Sequence, residues 1–528
     1  MEGPPAISSS ESIALLTLSA EWSKLPEDAS AIEQLERFIL PGYLKRMRWF
    51  GGKARKLTAI CIEKVLRLID EEEVFHLLVI RTKYRTGRSE DYLMPVALVP
   101  SAEALPEKAL VTRSNSGEVI DAIYHEGFRR LILNLMFNSA RVRQKNGYLQ
   151  FERGIELREE DFVSGLQSRV LEAEQSNSSL LYEREGSGYF LKIYRKLFRE
   201  TNPDVEMVKF LSEKGHFSHI PGFGGTFFWK KAYGQPITFA MMQQKVNAVK
   251  DAWSMAGDYL NEFLRNVARD EPAVPAASVE QASLLGQRTG EMHLALSGEK
   301  TDPAFVPEPF TDEYTDWLLD KGETLLKLRI RMAKECYSQL DETGKGLAKQ
   351  FFNHQTTIRD FFARIKSEPL RSLRTRIHGD YHLGQVMYNG SDYVILDFEG
   401  EPESSIRDRK IKHSPLKDVA GMLRSFHYAV SAKLYFSTET HELPAEKIET
   451  AVSNWYREVT SAYLEAYWKT MQGAAVFQTE QKELDFLLRF HLLEKAVYEL
   501  GYELNARPAW VKIPLRGVQE VVNKLQPG

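Results

Sequence analysis

Cysteine is scarce: the 528 residues hold only Cys61 and Cys336. Two cysteines so far apart suggest neither a disulfide framework nor a zinc cage, which fits a reducing compartment. Nor does any run approach the about 18 consecutive apolar residues of a membrane span. The short apolar stretch from Ile13 to Ala20 follows Glu2 and Glu11, whereas a secretory leader starts basic, so a cytoplasmic protein is expected. A dominant charge is also missing. Lys and Arg number 69 against 73 Asp and Glu, a net −4, so neither nucleic acid nor an anionic membrane is expected as partner. Internal repeats are absent. What is present, 43% hydrophobic and 11% aromatic residues, suffices for a large core in a folded chain. By length the chain holds about three or four structural units.

Residues 1–30 are rich in Pro and Ser, then acidic, and read as a weakly ordered start. A helical pattern from Ala31 to Leu44 leads to Arg46–Lys53 (RMRWFGGK), a turn with a buried Trp. Leu57–Ile69, Val74–Tyr84 and Leu93–Val99 read as strands. Leu180–Glu183 and Tyr189–Tyr194 flank a hairpin signal, Glu185-Gly186-Ser187-Gly188. Asn202 suits a helix N-cap, Pro203 the first turn and Asp204 the helix dipole. After Trp253 the chain is mostly helical, and the tail from about Ile448 to Asn505 strongly so. We therefore expect an α+β chain of two lobes with a cleft between them. Its parts are an accessory unit over 1–110, the rest of an N-terminal lobe over 111–246, and a helical lobe over 247–528.

The chemistry concentrates in 377–402, IHGDYHLGQVMYNGSDYVILDFEGEP. Asn389-Gly390 predicts a hairpin whose two turn positions both tolerate positive φ. Folding there brings Gln385 beside Asp397, with Asp380 on the loop leading in. A carboxylate and an amide oxygen at a strand end are hard ligands that suit Mg²⁺. A second carboxylate on a separate loop can take a proton from an attacking hydroxyl. Phosphoryl transfer needs both functions, plus a cation on the nucleotide phosphates. Lys192 on the upstream hairpin supplies the cation, and Glu206 on the next helix is placed to hold it by an ion pair.

This layout resembles the protein-kinase-like and aminoglycoside phosphotransferase fold. More specifically, the chain is similar to bacterial maltokinases. The similarity rests on RWFGGK (48–53), EQSNSS (174–179), NPDVE (202–206), PEPFT (307–311), HGDYHLGQ (378–385), DFEGEP (397–402), SPLKDVAGMLRSF (414–426) and EKAVYELGYEL (494–504). The resemblance implies a bilobal kinase fold, with an N-terminal cap and a helical C-terminal lobe. It also implies transfer of the γ-phosphoryl of ATP to the anomeric hydroxyl of maltose, feeding α-glucan synthesis. Asp380 would be the base, and Gln385 and Asp397 the Mg²⁺ ligands, with Glu399 in support. Lys192 and Glu206 would serve the phosphates. No glycine-rich loop precedes Lys192, so backbone N–H groups and hydroxyls of Ser176–Ser179, Ser178 and Ser179 among them, would replace it. Backbone groups near Gln244 and Val246 would pair with adenine, and Asp418 would brace the catalytic loop. Lys495, Tyr498 and Tyr502 would line the sugar site with His382. Maltose and ATP are thus the expected partners, with association with a trehalose-to-maltose isomerase also implied.

Each feature has a plainer reading. Asp380 suits an ordinary turn, Lys192 a solvated strand, and the Lys495/Tyr498/Tyr502 stripe a packed helix face. His378 and His382 would also fit a metal hydrolase, and His382 alone a hydrogen-bonded loop. Arg407–His413 (RDRKIKH) could meet phosphates, but its default reading is a solvated basic loop. Arg46, Arg48, Lys53 and Trp49 read as structural. The rival functions are a glucosamine or other sugar kinase, an antibiotic phosphotransferase, and an inactive kinase-fold scaffold.

Overall fold

The computed structural model describes residues 15–163, 165–171, 176–184, 186–231, 234–436 and 443–525. Residues 1–14, Glu174 and Gln175 of the EQSNSS motif, and Glu185 of the expected hairpin turn lie outside the described residues. Two compact units form: residues 1–209 with 222–245, and residues 210–221 with 246–528.

Two sheets build the N-terminal unit. The first contains β1 (Leu57–Asp70), β2 (Glu73–Tyr84), β3 (Glu90–Val99), β4 (Leu110–Ser114) and β5 (Gly117–Asp121) in the order β1-β2-β3-β5-β4. The second uses β6 (Arg141–Gln144), β7 (Gly147–Arg153), β8 (Gln167–Val170), β9 (Ser178–Arg184) and β10 (Ser187–Ile193). After β11 (Lys196–Leu197), which pairs with β3, it is completed by β12 (Phe223–Lys231) and β13 (Ile237–Gln244). The order is β6-β7-β12-β13-β10-β9-β8.

β2 and β3 are apolar almost without interruption because both their faces are covered. Leu78, Ile80, Tyr92 and Met94 pack with Leu35, Tyr43 and Trp49 of the segment before β1. Their neighbours Leu77, Val79 and Leu93 point the other way, into a core shared with Leu180, Leu191 and Phe239 of the second sheet. The first described residues are better tied than their composition suggests. Leu16 bridges to Ser114, and Trp22 Nε1–H donates to Val74 O at 2.9 Å.

Helices dominate the second unit, chiefly Ala252–Ala268, Ala276–Ser297, Asp312–Glu335, Leu416–Phe436, Ala445–Thr470 and Gln481–Ala506. Ala276–Ser297 and Ala445–Thr470 approach closely because Gly286 and Gly290 lack side chains. A Cβ at either would run into Tyr463 or Thr470. Among the described residues no helix is long and apolar enough to cross a membrane.

The buried His76 on β2 gives this fold a pH dependence. Its Nε2–H donates to Trp22 O at 2.8 Å, while Nδ1 has no partner among the described residues. Burial takes its pKa from 6.5 down to about 4, outweighing the bond to Trp22. The unfolded chain therefore binds a proton that the fold excludes, so stability is full above pH 6.5 and declines as pH falls toward 4. This group alone contributes about 3 kcal/mol of that decline. Urea unfolding followed down from neutral pH should show it, with a shallower slope in His76→Gln. An unchanged slope in that variant would exclude His76 as a source.

Candidate active site

In the N-terminal unit, Lys192 sits mid-strand on β10, opposite Ser179 of β9 and Met241 of β13. Its ammonium lies 3.4 Å from Asp204 Oδ2, and Asp204 is almost fully buried at the start of helix Pro203–Glu213. Sequence reading gave Asp204 only a dipole role. Asn202 caps this helix start, its Oδ1 accepting from Asp204 N at 3.0 Å, and Glu206 lies on the same first turn. Ser178 and Ser179 are buried, and Ser178 Oγ accepts from Arg195 Nε at 2.8 Å. Gln244 spends its N–H on Gly222 O and its amide on Glu156, whereas the backbone of Val246 is unpaired among the described residues.

In the helical unit, Val386–Tyr388 and Tyr393–Ile395 pair as a hairpin, Tyr388 opposite Tyr393. Its turn differs from the expectation. Only Gly390 has positive φ, at 104°, whereas the Asn389 side chain closes the loop by accepting from Ser391 N and Asp392 N at 3.0 and 2.9 Å. At the far end Leu396 N donates to Gln385 O at 2.8 Å, which brings Gln385 beside the residue that precedes Asp397. Asp397 adopts φ of 58°, a strained value for a residue with a side chain. The turn it opens brings carboxylate oxygens of Asp397 and Glu399 within 4.8 Å of each other. Oxygen donors of this kind suit Mg²⁺.

The HGD loop is held from beneath by Asp418. Its two oxygens accept from His378 N at 2.7 Å and Gly379 N at 2.9 Å, and His293 Nε2 lies 3.2 Å away. Burial pushes this carboxyl upward, but the bond and charge of His293 hold it below the usual range. Gly421, one turn along the same helix, leaves room for the backbone of Tyr381. His378 Nε2–H donates to Leu396 O at 2.7 Å, and Nδ1 accepts from Asp380 N at 3.3 Å. Both its ring nitrogens are thus engaged, which removes the hydrolase reading of this histidine. His382 Nδ1 accepts from Gly384 N at 3.1 Å, and its Nε2 is 4.0 Å from Asp380 Oδ2.

Asp380 meets Lys495, whose Nζ is 3.1 Å from Oδ1 and 3.8 Å from Glu401 Oε1. Burial pushes Asp380 up, yet the charge and hydrogen bond of Lys495, together with the neighbouring His382 and His378, keep the carboxyl below its ordinary value. Lys495 and Tyr498 line a cavity of about 450 Å³ within the helical unit. Its wall also includes Trp317, Arg329, Glu401, Glu403, Lys417 and Glu494. Lys417 Nζ lies 3.1 Å from Glu494 Oε1, and His491 Nδ1 2.9 Å from Oε2. Tyr502 is not part of this wall. It is 55% exposed, with the Arg507 guanidinium over its ring.

The basic segment 407–413 is solvated at Arg407, as expected, but not at Arg409 and Lys412. Arg409 binds the carbonyls of Pro402 and Ser404 at 2.8 and 3.0 Å, clamping the loop after Glu399. Lys412 spends its three protons on Pro303 O, Val306 O and Glu308 Oε1. Backbone carbonyls drew these cations inward, and hydropathy does not reveal such partners. Trp317 and Arg329 were missed because helix Asp312–Glu335 carries no motif. Glu401, Lys417 and Glu494 stand inside motifs already singled out.

Residues 43–127 match the maltokinase N-terminal cap domain family. A glucosamine kinase from Streptacidiphilus jiangxiensis is 22% identical over 302 residues, 57% of this chain and 61% of that protein. Another from Mycolicibacterium smegmatis is 24% identical over 350 residues, 66% of this chain and 77% of that one. Among solved structures, a glucosamine kinase in complex with glucosamine, ADP and inorganic phosphate superposes with a TM-score of 0.67. The match covers 97% of this chain and 100% of that one, at 17% identity.

Removing Asp418 would strand two loop N–H groups in the interior. Asp418→Ala should cost about 3 kcal/mol of stability, which chemical denaturation would register. A loss near zero would mean that the loop does not depend on this carboxylate. The chain has the protein-kinase-like fold of a solved glucosamine kinase, and its residues 43–127 match the maltokinase N-terminal cap domain family.

Proposed function

We propose that this chain is a sugar kinase that transfers the γ-phosphoryl group of ATP to the anomeric hydroxyl of maltose. The observation that carries the reading is Asp380, kept ionised by a lysine that also lines a sugar-sized cavity. Asp380 orients the sugar hydroxyl and accepts its proton as the oxygen–phosphorus bond forms and the bond to ADP breaks. A carboxylate with lowered proton affinity takes that proton late, which suits the loose transition state of phosphoryl transfer. Lys192 serves the nucleotide phosphates, and Val246 offers unpaired backbone groups to a base. Gln385 and Asp397, with Glu399 in support, would hold Mg²⁺, which when bound supplies charge neutralisation on phosphate oxygens.

Maltose is favoured by the cap family and by the cavity, which has room for a second ring beside the aromatic side chains of Trp317 and Tyr498. Supply of maltose by a trehalose-to-maltose isomerase, and use of maltose 1-phosphate in α-glucan synthesis, belong to the same reading. A second reading, phosphorylation of glucosamine, is favoured by the curated relatives and by Glu401 and Glu403 in the wall, which would attract an ammonium group.

A coupled ADP-release assay with Mg²⁺-ATP over maltose and glucosamine, with NMR of the product, separates the two. Maltose-dependent release with phosphate on the anomeric carbon is expected; release with glucosamine alone would establish the second reading. Asp380→Asn should lower turnover by about a thousandfold, and near-normal turnover would remove it as the base. Tyr498→Ala should raise KM for sugar about tenfold and leave that for ATP unchanged. Equal effects on both would return Tyr498 to packing.

A further inference from the structure

The N-terminal unit contains a second cavity, of about 220 Å³; of the segment expected at the nucleotide phosphates only Asn177 and Ser178 reach its wall, and the Ser178 hydroxyl is already held by Arg195. Arg46, Arg48 and Lys108 line it from the cap side, and Asn177, Ser178 and Arg195 from the Lys192 sheet. Arg46 and Arg48 open the RMRWFGGK segment, whose buried Trp49 lies beneath the Arg195 guanidinium, 4.8 Å away.

The charges of this wall do not balance. Among the described residues its one carboxylate is Asp121, and wholly buried Arg195 already holds it, with Nη2 2.6 Å from Oδ2. Arg195 spends its Nε–H on Ser178 Oγ at 2.8 Å. Arg46 and Arg48 are exposed at the cavity and make no ion pair among the described residues. A cation would be repelled from such a wall, and an apolar ligand would leave the guanidinium groups unmatched. Two-pronged guanidinium donors match a phosphate-class oxyanion. The volume is below the about 300 Å³ at which drug-sized ligand sites begin, so the occupant is small.

We propose that this cavity is a phosphate-binding site, with Arg46 and Arg48 as ligands, for inorganic phosphate or the phosphate group of a small ester. It stands at the first residue of β9, next to the Ser179 that pairs with Lys192. Calorimetric titration of the full chain with inorganic phosphate and with glucose 1-phosphate, without nucleotide, tests it. Saturable binding should persist in Lys192→Met, weaken about tenfold in Arg48→Ala, and weaken further when Arg46→Ala is added. Phosphate should likewise raise the melting temperature of the parent but not of the double variant, whose ligand-free melting should match the parent because both side chains are exposed. Equal affinity for the two probes identifies the free oxyanion as sufficient, and tighter binding of glucose 1-phosphate identifies an ester. Binding lost in Lys192→Met but kept in the arginine variants would overturn the proposal, as would the absence of saturable binding in the parent.

Discussion

A single buried carboxylate organises the helical unit's chemistry. Asp418 would be costly in a low-dielectric interior unless hydrogen bonds satisfied it, and it obtains them from the backbone of the HGD loop. That exchange fixes His378 and Gly379, and through them the position from which Asp380 projects. His378 then passes the constraint to Leu396 O, one residue before Asp397. Asp380 and the candidate metal ligands thereby share one backbone frame, and neither group can shift without disturbing the other.

The cavity beside this frame handles charge by pairing. Lys417 with Glu494, and Lys495 with Asp380 and Glu401, place both signs on one wall. Pairs of this kind offer many donors and acceptors to hydroxyl groups. A polyhydroxylated neutral ligand meets such a surface by hydrogen bonding, and the aromatic side chains in the wall provide its apolar counterpart.

Local pattern made much of this readable in advance. The strands, the capped helix at Pro203 and the hairpin at Asn389 each depend on neighbours a few residues away, and each formed near its expected place. The placement of Asp380 on a loop beside that hairpin was legible for the same reason. What escaped was decided by distant packing. Asp204 looked like a dipole residue until the sheet brought Lys192 to it. Arg409 and Lys412 looked solvated because their carbonyl partners lie on other segments. Periodicity reports which face of Asp312–Glu335 is buried, but not that Trp317 and Arg329 turn toward Lys495's cavity.

The two-sided burial of β2 and β3 bears on how such a cap can be inherited. Because Leu77, Val79 and Leu93 complete the core of the sheet that holds Lys192, the cap is not a module laid over a finished domain. A descendant that discarded it would bare a row of apolar side chains on the sheet that holds Lys192 and invite self-association. Loss of the cap would therefore have to be accompanied by polar replacements along β9, β10 and β13. That requirement ties the two sheets to a common evolutionary fate.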